Sequence, residues 1–164
     1  MLLNPEFDSL NSVKYLFLRE ISEPKDNSLR IVVQEPVVNR LGIVPSAPEH
    51  PELAVLLKDS WPIESVDGCK TFELYWKRYV AYLVTEEMIG SCGDNKDEIY
   101  SGNRFSIYTK SHFLDHLARN TGAHTEPIQH FKLSCENHLI DIASYEVPAI
   151  RLREGTPEKL PRIQ

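Results

Sequence analysis

Two histidines stand four residues apart in the run His112-Phe-Leu-Asp-His116, and five of the chain's six histidines fall between positions 112 and 138. Imidazoles bind divalent metals and move protons near neutral pH, and no other stretch concentrates such groups. Residues four apart on a helix lie one turn above each other, so His112 and His116 could chelate zinc or another divalent ion. A working zinc site needs a third protein ligand, which His124 or His130 could supply only if the chain after the helix folds back. Asp115 does not reproduce the His-Glu-x-x-His spacing of zinc proteases. Helical phase gathers Phe113, Leu114, Leu117 and Ala118 on one face and turns His112, Asp115, His116 and Arg119 to solvent. A polar surface stripe is therefore the simpler reading, and a metal-dependent enzyme built on His112 and His116 is the alternative.

Three further constellations carry chemistry of their own. Cys135-Glu-Asn-His138 brings a thiol near an imidazole, which favours thiolate, but a hairpin end supplies no evident oxyanion donors. Arg78 interrupts an otherwise apolar alternation next to Trp76, and a buried guanidinium needs a carboxylate or an aromatic face. A cleft of Trp76, Arg78, Tyr79 and Tyr82 could recognise a small anionic ligand, and a structural ion pair is the plainer account. The acidic run Asp94-Asn-Lys-Asp97-Glu98 fails the calcium-loop spacing, and adjacent Glu86 and Glu87 on a strand point to opposite faces. Phosphate-binding glycine loops, Gly-x-Ser-x-Gly and Cys-x-x-Cys do not occur, and no catalytic residue is assigned.

The elements that must position these groups read as mostly strands. Val13–Ile21 and Ser28–Gln34 form a hairpin around the turn-rich Ser22–Asn27, with Leu29, Ile31 and Val33 alternating against Arg30, Val32 and Gln34 as a half-buried strand. Prolines 36, 45, 48, 51 and 62 keep 36–68 irregular apart from a short helix near 51–58. Residues 72–86 alternate as one long strand with a bend or bulge near Arg78-Tyr79. A polar loop over 90–98 precedes a strand at Arg104–Tyr108 and a helix at 111–121, capped by Thr109 or Ser111 and stopped at Gly122. If Glu136-Asn137 is a two-residue turn, Phe131 faces Ile142 and Leu133 faces Ile140 on an apolar side. The same register sets Cys135 opposite His138 on that apolar side, and Lys132 opposite Asp141 and Ser134 opposite Leu139 on the other, with His130. Residues 147–152 add a short edge strand, and the tail after Glu154 is loose.

The fold class is α+β, dominated by antiparallel sheet as a sandwich or half-open barrel, in a single domain over residues 1–154. A chain of 164 residues with 41% hydrophobic and 26% charged residues can bury a core of its own. Net charge is −6, with six Lys/Arg against eleven Asp/Glu in residues 1–68, so nucleic acid is not an expected partner. The acidic balance suits docking to a protein partner. The opening residues lack a secretory n-region and h-region, and no apolar run is long enough for a bilayer. Three widely spaced cysteines predict a reducing, cytoplasmic setting. The expected function is a non-catalytic binding or protein-interaction module without a cofactor. The alternatives are the metal enzyme at His112 and His116 and the anion sensor at Arg78.

Overall fold

The computed structural model describes residues 5–38, 61, 63–64, 66, 68–90, 96–122 and 126–154. In chain order the elements are α1 (Pro5–Ser12), β1 (Phe17–Ser22), β2 (Leu29–Gln34), β3 (Val37–Val38), β4 (Ile63–Glu64), β5 (Lys70–Trp76), β6 (Tyr79–Glu86), α2 (Glu87–Gly90), β7 (Ile99–Ser101), β8 (Phe105–Lys110), α3 (His112–Asn120), β9 (Gln129–Ser134), β10 (His138–Ser144) and β11 (Ala149–Glu154). A four-stranded sheet runs β1-β2-β5-β11 and a five-stranded sheet runs β6-β10-β9-β8-β7, with β3 and β4 as a separate pair. Every strand pairing among the described residues is antiparallel. The fold is thus α+β with antiparallel sheets and one clear helix, α3. The short helix expected near 51–58 and the tail after 154 lie outside the described residues.

The alternation expected over 72–86 is real, but it is two strands rather than one. β5 ends at Trp76, Lys77 and Arg78 turn the chain, and β6 begins at Tyr79 in the other sheet. The crossing is pinned by hydrogen bonds from Lys77 N–H to Glu146 (2.9 Å) and from Ser144 Oγ to Arg78 O (2.8 Å). Tyr79 N–H donates to Asn27 O at 2.9 Å, which holds the β1–β2 turn against the start of β6.

Period-two patterning fills the space between the sheets. Leu29, Ile31 and Val33 from β2 and Phe72, Leu74 and Trp76 from β5 meet Phe105, Phe131, Leu133, Ile140 and Ile142 from β8, β9 and β10. Trp76 and Phe131 join the sheets with ring centroids 6.0 Å apart, and Phe105 stacks on Phe131 at 5.7 Å. Burying each such side chain stabilises the fold by about 1.5–3 kcal/mol. Helix α1, unforeseen in the sequence, adds Leu10 to this core and sets Phe7 on Phe105. Its Asn11 carboxamide oxygen accepts from Asn103 and Phe105 N–H, so tertiary contacts rather than helix propensity place it.

β2 departs from expectation, because all six of its residues are buried and not only Leu29, Ile31 and Val33. Arg30 can be buried because Glu73 and Glu20 meet its guanidinium at 2.8 and 2.7 Å. Glu73 is only 1% exposed. Burial opposes the Arg30 charge, but these two carboxylates outweigh it and hold the pKa above its ordinary value. Removing Glu73 leaves the buried Arg30 charge with only the more exposed Glu20 to offset its desolvation. Glu73→Leu should therefore cost about 3 kcal/mol in urea denaturation, and Arg30→Met/Glu73→Leu should be more stable than Glu73→Leu alone. A double variant less stable than the single one would show that the pair is not the unit that matters.

Candidate functional site

Residues that do not face the core of the five-stranded sheet form its outer surface. They are Ser106 and Tyr108 on β8, His130, Lys132 and Ser134 on β9, and Leu139 and Asp141 on β10. The β9–β10 register is the one the sequence predicts, with Phe131 opposite Ile142, Leu133 opposite Ile140, Lys132 opposite Asp141 and Ser134 opposite Leu139. The turn needs no glycine, because neither Glu136 nor Asn137 takes a positive φ. Its tip is held from across the sandwich: Asn137 accepts from Leu18 N–H at 2.9 Å, and Glu136 N–H donates to Leu16 O.

On this surface three polar residues form a continuous chain. Ser111 caps α3, its hydroxyl accepting from Leu114 N–H at 3.1 Å. The same oxygen lies 2.6 Å from His130 Nδ1, and His130 Nε2 lies 2.9 Å from Asp141 Oδ1. One tautomer serves both contacts, with the serine O–H donating to Nδ1 and Nε2–H donating to the carboxylate. Lys132 Nζ approaches the same Asp141 oxygen at 3.8 Å. The imidazole is stacked under Tyr108 at 4.1 Å and flanked by Phe113 at 5.2 Å. Tyr100 in turn stacks on Tyr108 at 4.9 Å. Burial, aided by Glu98 and Asp141, pushes the Tyr108 hydroxyl well above its ordinary pKa, so it stays protonated.

Serine, histidine and aspartate in this order perform acyl transfer in many enzymes, where the serine meets Nε2 and the carboxylate Nδ1. Here the two nitrogens are exchanged, the serine lone pair is engaged in the helix cap, and Ser111 and His130 are 4% and 1% exposed. The arrangement serves to dock α3 onto the sheet. Sequence reasoning named Ser111 as a cap and placed His130 and Asp141 on one face, but nothing local joined the cap to the strand.

Beside this chain an open cleft of about 380 Å³ runs over the sheet. Its floor includes Ser106, Lys132 and Ser134, with Tyr100 and Tyr108 on one side and Glu87 and Gly90 of α2 on the other. Arg104 and Glu136 pair at 2.8 Å at one end, where Arg104 also donates to Lys14 O. The β7–β8 turn depends on Gly102, at φ 105°, where a Cβ would fall 2.1 Å from Phe105 O. Outside the cleft, Met88 and Ile89 of α2 and Ile99 of β7 are exposed large apolar side chains, and Tyr100 on its wall is also exposed.

The residues singled out in the sequence lie elsewhere. His112 and His116 are both exposed on α3, with Leu117 buried on the opposite side, as helical phase requires. His112 N–H donates to Glu98, and His116 lies beside Asn120. Among the described residues no three His, Cys, Asp or Glu side chains gather to hold a metal ion, and His124 lies outside them. Trp76, Arg78, Tyr79 and Tyr82 do not share a cleft. Trp76 is in the core, whereas Arg78 stands at the strand break rather than on an apolar face, its side chain 53% exposed. Arg78 pairs with Glu126 at 2.5 Å and lies over the Tyr145 ring at 4.1 Å. Tyr79 and Tyr82 touch edge to face and both donate to Glu23. Cys135 is buried, and burial, with Glu136 adding and Arg104 opposing, pushes its thiol up to about 12. His138 Nδ1 is buried without a hydrogen bond.

No helix among the described residues is long and apolar enough to cross a membrane. Comparison with family models, curated proteins and solved structures returned no match.

Two outcomes follow from this chemistry. Ser111→Ala removes the cap and orphans His130 Nδ1, so it should cost about 2 kcal/mol in thermal or urea unfolding. A fluorophosphonate should leave wild-type Ser111 unlabelled, and labelling would reveal an accessible nucleophile instead. The native Cys135 thiol holds its proton to about pH 12 against an ordinary pKa of 9.0. It therefore supports folding fully below pH 9 and withdraws that support as pH rises from 9 to 12. Cys135→Ala should flatten the loss of stability measured between pH 8 and 10, and an unchanged slope would contradict the assignment.

Proposed function

We propose that this protein is a non-catalytic binding module that recognises a protein partner through the cleft on the outer face of the five-stranded sheet. The observation that carries this reading is the cleft's make-up: a polar floor open to solvent, walled by Tyr100 on one side and by Glu87 and Gly90 on the other, with their chain neighbours Ile99, Met88 and Ile89 exposed. Methionine and aromatic side chains flanking hydrogen-bonding groups are what protein interfaces favour. Lys132 and Arg104 together with Glu87 and Glu136 give the cleft both signs of charge, which suits a mixed polypeptide surface better than a single anion. The groups with the most reactive chemistry nearby serve the fold, since the Cys135 thiol stays protonated and Ser111 and His130 are buried and bonded to one another.

The test is a comparative capture with the full chain as bait. Wild type should retain a protein that Met88→Glu/Ile89→Glu and Tyr100→Ala lose by at least about tenfold, since interface anchors of this kind are worth more than 1 kcal/mol each. Circular dichroism should show all baits folded. Recovery of the same proteins by all three baits would place binding on another face.

A further inference from the structure

The edges of the two large sheets are not equivalent. β1 carries Arg19 and Glu20, β11 carries Arg151, Arg153 and Glu154, and β7 is three residues long. Charges and shortness of this kind keep sheet edges from pairing with other chains. β6, the remaining edge, spans eight residues, and from Tyr79 to Thr85 it has neither a charge nor a proline. None of its residues is buried, and Leu83 is 50% exposed. Among the described residues no strand lies on its outer side.

The sequence flanking this run is complementary to itself. Lys77 and Arg78 precede it, and Glu86 and Glu87 follow it, symmetrically about Tyr82. We propose that two copies of this chain associate through β6, paired antiparallel about a two-fold axis at Tyr82, joining their five-stranded sheets into one. In that register Ala81 of each copy faces Leu83 of the other and Tyr82 faces its own counterpart, with Val84 toward the irregular residue Val80. Arg78 of each copy then meets Glu86 of the other at both ends of the ladder. Moving the axis by one residue sets Glu86 opposite Val80, or Arg78 opposite Val84, so charge selects this register over its neighbours. Because Tyr79 N–H is already bonded to Asn27 and β6 shifts register against β10 at Val80, the shared ladder is centred on Ala81, Tyr82 and Leu83. Arg78 keeps Glu126 on one terminal nitrogen, and its remaining N–H groups serve the second carboxylate. A symmetric pairing of one patch with itself closes at two copies and leaves no free β6 edge.

Sedimentation velocity across a concentration series, with charge-reversed variants of the full chain, decides this. Wild type should dimerise. Arg78→Glu and Glu86→Lys each set two like-charge pairs across the two-fold axis and should weaken self-association about tenfold or more. Mixed one to one, the two variants restore opposite charges at both ends and should form a heterodimer close to wild type in affinity. Leu83→Lys disturbs neither the α2 cap made by Glu86 nor the Arg78–Glu126 pair, and it should also give monomer. A wild type monomeric at about 100 μM overturns the proposal. So does a dimer indifferent to these substitutions, or variants that fail to associate when mixed.

Discussion

Trp76 points into the core just before the backbone turns out of one sheet, and Tyr79 opens a strand of the other. A single stretch of chain therefore contributes to both layers, and its bend joins one sheet to the other. The remaining elements respect this constraint. β2 runs along β5 and reaches the bend through Asn27, and β10 runs along β6 and reaches it through Ser144. The aromatic contact between Trp76 and Phe131 closes the sandwich at the same place. Two solvent-exposed residues, Lys77 and Arg78, suffice for the crossing because Glu146, Glu126 and Tyr145 hold them from outside.

With the apolar faces turned inward, each sheet must find uses for its other side, and the two sheets do so differently. The four-stranded sheet buries charge there, in the Arg30-Glu73-Glu20 group. The five-stranded sheet divides its outer face. One part is buried beneath α3 and held by the Ser111-His130-Asp141 chain, while the part toward α2 and β7 stays open as the polar cleft. Hydrogen bonds that satisfy a buried imidazole cost it the freedom a catalytic base needs. The same arrangement that could suggest hydrolysis therefore supports a rigid platform beside an open surface.

Much of this was legible residue by residue. The β9–β10 register was readable because one pairing sorts Phe131, Leu133, Ile140 and Ile142 to one side and Lys132 and Asp141 to the other. Helix α3 was readable from its amphipathic phase and the Ser111 cap. The placement of Arg78 was not, because alternation continued through the bend as if the strand were straight, and only pairing partners show that Trp76 and Tyr79 belong to different sheets. Likewise β2 looked half-buried, because a buried guanidinium is credible only once Glu73, 43 residues away, is seen beside it. Histidines 112 and 116 stood out by spacing, yet spacing within a helix says nothing about what lies opposite.

The sequence alone determined the local periods: which residues alternate, where α3 starts, which hairpin faces match, and that a run from Tyr79 to Thr85 is uncharged between basic and acidic ends. These follow from interactions spanning a few residues, or from one turn that sets a register. Tertiary structure alone decided which strand became an edge, which polar groups were buried together and which stayed in solvent. Those outcomes depend on contacts between residues far apart in the chain. Their cost in desolvation and chain entropy is offset only when the whole core assembles.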